Sequence, residues 1–253
     1  MFMRFIQLKI NMDYREIIKP FYNDSIIPEL QKINGCLFAG LIQSNRSSDE
    51  LISMTLWKTK AQAEAFENSE TFQKLMKRLK PFLSESSEWK IQLSEDLQVQ
   101  YAPVQEEPIL SEYEVTAQSS RDDSEALENP RMYVRLVSLK LQEEKVDEFR
   151  SIYIDQIIPA LNSYPGCLYA YLIESLCNRN EIVSVTIWEN KKDADIYEES
   201  GKFAELIDKV KHTFSEFYRW KMALEKNIGG EVKTSDDMKV DYYGVVSARR
   251  FEE

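Results

Sequence analysis

Apolar and polar residues alternate along the first strand-like stretch of the chain. From Phe5 to Ile10, Ile6, Leu8 and Ile10 fall on one side, and Phe5, Gln7 and Lys9 on the other. The pattern then lengthens to helical spacing between about Asp13 and Lys32, where Ile17, Ile18, Phe21, Ile26, Ile27 and Leu30 form a stripe. Pro20 and Pro28 should bend or break that helix. Gly35 opens a second strand, Cys36 to Ser44, and the polar run 45–50 reads as a hairpin turn into a third, Leu51 to Trp57. A single long helix is expected from Lys60 to about Leu83, then short final strands at Trp89–Leu93 and Val99–Val104.

The same order returns after 131 positions. Residues 5–95 fall on 136–226 without a gap, with about thirty identities. Trp57 meets Trp188, Trp89 meets Trp220, and Gly-Cys-Leu recurs at Cys36 and Cys167. A repeat this long makes each copy a small domain rather than a solenoid unit. The order β-α-β-β-α-β is the ferredoxin-like unit. The fold class is therefore α+β, two tandem ferredoxin-like domains over 1–104 and 132–253. Residues 105–131 hold eight acids, two arginines and two prolines, which reads as a solvated acidic linker with at most a short strand at Tyr113–Thr116. The last strand, Met238–Val246, resembles Leu97–Gln105 after a ten-residue insertion.

Two helices cover only one face of a four-stranded sheet, so the other face needs a partner. In the third strand Ile52, Met54 and Leu56 alternate with Ser53, Thr55 and Trp57. The wholly apolar face is assigned to the helices. The mixed face is assigned to a hollow between the two sheets, which then close on each other as a barrel and a pseudo-dimer within one chain.

Composition narrows the partners. A net charge of −11 and no basic stripe argue against nucleic acid and anionic membrane surfaces. No apolar run reaches the roughly 20 residues that span a bilayer, and the start lacks a signal-peptide pattern, so a cytoplasmic location is the expectation. Three cysteines and one histidine leave little for a disulfide framework or a metal. The hollow between the sheets points to a small hydrophobic or aromatic ligand, with further homo-oligomerisation open.

The strand Glu50-Leu-Ile-Ser-Met-Thr-Leu-Trp57, followed by Ala63 and Ser69-Glu-Thr-Phe72, resembles the antibiotic biosynthesis monooxygenase (ABM) domain. Glu181 to Trp188, Ala194 and Ser200-Gly-Lys-Phe203 repeat the resemblance. It implies a dimeric α/β barrel built within one chain. It also implies a monooxygenase acting on a small aromatic or quinol, without metal, flavin or other cofactor. An electron-rich substrate, once deprotonated, can itself reduce dioxygen, so the protein supplies a cage, a proton acceptor and oxyanion donors.

The catalytic candidates are Lys9 and Thr55, matched by Lys140 and Thr186. A lysine in an apolar cavity would have its pKa lowered and could act as base or anchor. The candidates for holding the substrate are Gln7, Phe38, Ser53, Trp57 and Phe66, matched by Ser138, Tyr169, Ser184, Trp188 and Tyr197, with Tyr171 facing Gly40. That last pair places the more open pocket in the first copy. The bland alternatives are strong: tryptophans as barrel wall, lysines snorkelling at strand ends, hydroxyls serving the backbone. Tyr22-x-Asp24 and Tyr153-x-Asp155 also repeat, and a helix-end contact explains them equally well. The family's histidine is absent at Phe66 and Tyr197. The axial histidine of haem-degrading relatives falls on Met76 and Ile207. His212 aligns with Pro81, off that position. A non-catalytic ligand-binding or scaffold role is the alternative, and haem degradation ranks last.

Overall fold

The computed structural model describes residues 1–93, 99–105, 108–120, 131–215 and 238–251. The first half runs β1 (Phe2–Lys9), α1 (Arg15–Phe21), α2 (Ile27–Gln31), β2 (Cys36–Ser44), β3 (Glu50–Trp57), α3 (Lys60–Glu67) and α4 (Glu70–Leu79). Then come β4 (Glu85–Leu93), β5 (Val99–Gln105) and β6 (Ile109–Ser120). The second half repeats this with β7 (Tyr133–Lys140), α5 (Val146–Ile152), α6 (Ile158–Ser163), β8 (Cys167–Ser175), β9 (Glu181–Trp188), α7 (Lys191–Glu199), α8 (Lys202–Val210) and β10 (Met238–Arg250).

Eight strands close into one antiparallel barrel in the order β1-β3-β2-β10-β7-β9-β8-β6. Each half contributes a 4-1-3-2 sheet, β6-β1-β3-β2 and β10-β7-β9-β8. The fourth strand of each half also pairs with the second strand of the other, β6 with β8 and β10 with β2. Closure leaves the barrel itself without an open sheet edge. The two ferredoxin-like units thus form the α/β barrel within one chain.

Three expectations change. The segment read as solvated linker carries β6, a twelve-residue barrel strand that pairs with both halves. Its acids sit on a strand because the closed barrel supplies hydrogen-bond partners on both edges, which composition cannot register. Trp89–Leu93 and Val99–Val104 fall in β4 and β5, which pair with each other outside the barrel. The ten-residue insertion also disappears. Phe2 faces Glu114 as Tyr133 faces Gly244, so β6 and β10 stand 130 positions apart, one residue short of the repeat. Trp220 and Gly229-Gly230 lie outside the described residues.

The helices differ from expectation in two places. The expected break at the prolines is instead a wide π-helical turn, Tyr22–Ile26, which recurs at Tyr153–Ile157 and carries the chain onward. The single long helix after β3 divides at Ser69. The Ser69 hydroxyl donates to the Phe66 carbonyl and accepts from the Phe72 amide, ending α3 and capping α4. Ser-x-x-Phe is therefore a helix-break motif. Gly35 precedes β2 at φ +93°, and a Cβ there would lie 2.2 Å from the Gln62 side chain in α3. Glycine satisfies both the left-handed backbone and the close approach.

The faces of β3 are the opposite of the expected ones. Register decides this: Arg4 faces Thr55, Ile6 faces Ser53 and Phe2 faces Trp57. Ser53, Thr55 and Trp57 therefore share the helix-covered side with Ile6 and Leu8. Ile52, Met54 and Leu56 point into the barrel and pack with Met3, Phe5, Val134, Leu136, Val185 and Ile187. A closed interior has little polar backbone to offer, since every strand is paired, so the wholly apolar face belongs there. The helix side tolerates hydroxyls because tyrosine and tryptophan supply partners.

Candidate functional site

Between the first-half sheet and its helices lies a cavity of about 50 Å³, several times the roughly 10–15 Å³ one water requires. Strands β1 and β3 set Arg4, Ser53, Thr55 and Trp57 along its floor, the π-helical turn brings in Tyr22, and α3 and α4 close it with Phe66 and Met76. Its polar groups are locked. Tyr22 and Ser53 share a hydrogen bond of 3.0 Å, and the Trp57 indole donates to Thr55 Oγ1 at 2.9 Å. Burial holds the Tyr22 phenol well above its ordinary pKa, more than the Ser53 contact lowers it. It stays a neutral hydroxyl.

Arg4 is 2% exposed. Its Nη1 donates to the Ala63 carbonyl at 2.9 Å, and its Nη2 donates to Glu112 at 2.5 Å and lies 3.0 Å from Glu67. Its Nε is buried with no hydrogen-bond partner among the described residues. Leaving such a donor unmade costs about 1–3 kcal/mol, so the orphan marks a place for an acceptor atom. Among the described residues, the cavity lining contains no carboxylate, histidine or thiol.

The second half builds a tighter copy of about 30 Å³. Tyr153 bonds Ser184 at 2.7 Å, and Trp188 donates to Thr186 at 2.9 Å. Arg135 pairs with Glu198 at 2.8 Å, and the Phe203 ring lies 4.0 Å from its guanidinium. Tyr242 of β10 donates to Glu198 as well. Tyr197 stands where the first half has Phe66.

The structure brings Ser53, Thr55, Trp57 and Phe66 together in the first cavity. It sets Ser184, Thr186 and Tyr197 around the second, with Trp188 packed on Tyr197 at 5.1 Å. The remaining candidates are elsewhere. Gln7, Lys9 and Ser138 line a polar recess of about 400 Å³ at one mouth of the barrel. Lys9 and Lys140 are exposed, so neither is the desolvated lysine expected. Phe38, Tyr169 and Tyr171 belong to the barrel interior, with the two tyrosines stacked 6.3 Å apart. A Cβ on Gly40 would stand 2.9 Å from the Phe38 ring, so the Gly40/Tyr171 difference is a matter of barrel packing. His212 is on the surface, its Nε2 2.8 Å from Glu148.

Sequence reasoning missed Arg4 and Glu67 as site residues and left Tyr22 open between a site and a helix-end contact. Each is identical in the second copy, at Arg135, Tyr153 and Glu198, and a charged pair repeated beside apolar strands was the signal to follow. Glu112 carries no such signal, since its counterpart is Tyr242.

A barrel of two fused ferredoxin-like halves, each with a small pocket between sheet and helices, defines the class: a tandem α/β-barrel protein. The family model for antibiotic biosynthesis monooxygenase matches residues 1–78 and again 132–209. The chain belongs to that family. Solved structures agree on the fold. Candidate monooxygenases from Lactobacillus acidophilus and Fusobacterium nucleatum superpose with TM-scores of 0.67 and 0.69 at 9% and 10% identity. Both alignments cover 98% of this chain, with 95% and 94% of those chains. An anthrone oxidase-like protein reaches 0.57 at 11% identity, covering 100% and 94%. No functionally curated protein matches the sequence. No helix among the described residues is long and apolar enough to cross a membrane.

Proposed function

We propose that the chain is a monooxygenase that oxidises a small aromatic or quinol-type substrate in the first-half cavity, using dioxygen and no bound cofactor. The observation that carries this is the buried Arg4 Nε, an unmet donor beside an otherwise apolar cage. A substrate oxygen accepting from it is held while the adjacent carbon is oxidised. For an activated ring methylene the change is R₂CH₂ + O₂ → R₂C=O + H₂O, which balances without an external reductant. Arg4 Nε donates to that neutral oxygen, and the Tyr22 and Ser53 hydroxyls pair with each other beside it. The apolar wall orients the ring.

Thr55 holds Trp57, and Thr186 holds Trp188, so both act as positioning residues. Lys9 and Lys140 stand outside both cavities. With no base among the described residues lining the pocket, the substrate enters uncharged and gives up its proton to water only as it reacts. That same lack of a base favours a second reading, in which the cavity binds its ligand without turnover.

Oxygen uptake with anthrone and 1,4-dihydroxynaphthalene separates the two. Uptake above the protein-free rate, lost in Arg4→Lys, supports oxidation. Saturable binding with no added uptake makes the chain a binding protein. Neither binding nor uptake rejects the cavity as a site.

A further inference from the structure

The charge arrangement around Arg4 carries a selectivity that the cavity's shape does not. The inference rests on the first-half cavity being the ligand site. Arginine is permanently cationic, yet this guanidinium already meets two carboxylates through one nitrogen: Nη2 lies 2.5 Å from Glu112 and 3.0 Å from Glu67. Lys60 returns some positive charge, but it stands 3.8 Å from Glu112 with its side chain 47% exposed, and it shares itself with Glu64 at 3.4 Å. The nearest shell is thus over-compensated toward negative before any ligand arrives. Nε still lacks an acceptor lone pair.

The second half also leaves a buried guanidinium nitrogen without a hydrogen-bond partner among the described residues, Arg135 Nη2, but it differs in charge. Arg135 has a single carboxylate, Glu198, and the position of Glu112 is taken by Tyr242, whose neutral hydroxyl donates instead of adding charge. The β6 and β10 pairings place these two residues at equivalent sites, opposite Arg4 and Arg135. The second carboxylate is therefore a feature of the first cavity and not of the repeat.

We infer that the first-half cavity accepts an uncharged ring compound bearing one acceptor oxygen, a ketone, quinone or undissociated phenol, and rejects carboxylates and other anions of the same size. A neutral carbonyl satisfies Arg4 Nε and adds no charge. An anion would be a third negative group around one guanidinium, desolvated by an apolar wall, and a buried charge without its own counter-ion is expensive. Glu112 is the residue that sets the preference.

The test measures binding of 1-tetralone and 1-naphthoate, close in size and differing in charge, to the full chain by calorimetry at neutral pH. The ketone is expected to bind more tightly by roughly tenfold or more. Glu112→Gln, at a partly exposed side chain, is expected to raise naphthoate affinity by about tenfold and leave tetralone within about twofold. A melting curve confirms that the variant is folded. Naphthoate binding as tightly as tetralone to the unaltered chain overturns the inference and leaves the cavity intact as a site. So does a ratio that Glu112→Gln does not move. If neither probe binds, the cavity itself is rejected and the selectivity falls with it.

Discussion

Replacing Tyr22 with phenylalanine tests whether the hydroxyl pair beneath the π-helical turn is a real coupling. Tyr22 is 1% exposed and Ser53 is 9% exposed, with 3.0 Å between their oxygens. Tyr22→Phe removes one partner and strands the other, a situation that costs about 1–3 kcal/mol. For a chain of this size that lowers Tm by roughly 2–4 °C per kcal/mol. Ser53→Ala strands the phenol in the same way. The double variant leaves no orphan, so it should cost less than the two singles together, by about 1 kcal/mol of coupling. Tyr153→Phe with Ser184→Ala repeats the cycle at 2.7 Å in the other half and should give a similar coupling. Urea unfolding followed by tryptophan fluorescence measures all of these. Strictly additive singles in both halves would refute the hydrogen-bonded pair. Ligand affinity adds a second readout: Tyr22→Phe should weaken ligand binding and Tyr153→Phe should not, if the first cavity is the site.

Thr55→Val removes the acceptor for the fully buried Trp57 indole and should cost about 1–3 kcal/mol in the same urea assay, where a neutral result would contradict the bond. Burial raises the Cys36 thiol from 9.0 to about 12, so the folded state keeps a proton that the unfolded chain releases. Its contribution is whole below about pH 9 and is lost as pH climbs toward about 12, at up to about 1.4 kcal/mol per pH unit. Cys36→Ala should flatten the alkaline fall in stability, and an unchanged slope would count against the assignment. A thiol reagent should label one of the three cysteines quickly, the exposed Cys177, while Cys36 and Cys167 react only on unfolding. Gly35→Ala should destabilise by about 1–2 kcal/mol from its left-handed backbone alone, whereas Gly244→Ala, with nothing nearer than 4.0 Å to the added carbon, should be close to neutral in thermal melts.

Much of the fold was legible in the chain. The 131-residue repeat, the strand periods, the glycine before β2 and the Trp57/Trp188 pair lead to two ferredoxin-like units because each rests on local spacing. The failures share one cause. Ser53, Thr55 and Trp57 alternate cleanly with Ile52, Met54 and Leu56, but alternation names two faces without saying which is which. A one-residue change of register exchanges them. The candidate site suffered accordingly. Ser53, Thr55, Trp57 and Phe66 do meet in one cavity, whereas Lys9, Phe38 and Tyr171, expected around the same hollow, belong to the barrel mouth and interior. Arg4 was passed over because the alternation was read from Phe5, one residue beyond it, whereas the strand begins at Phe2.

What the amino acids determined by themselves is local and repeated: helix and strand periods, the glycine that opens β2, and the duplication that makes a pseudo-dimer. These depend on neighbours a few residues away, whose contacts the chain order already implies. Only the tertiary structure decided that 109–120 is a barrel strand, that the apolar face fills the barrel, and that Glu112 reaches Arg4 from 108 positions away. Each of these is settled by the pairing of distant strands, where the closed hydrogen-bond ladder outweighs the polar composition of the segment that completes it.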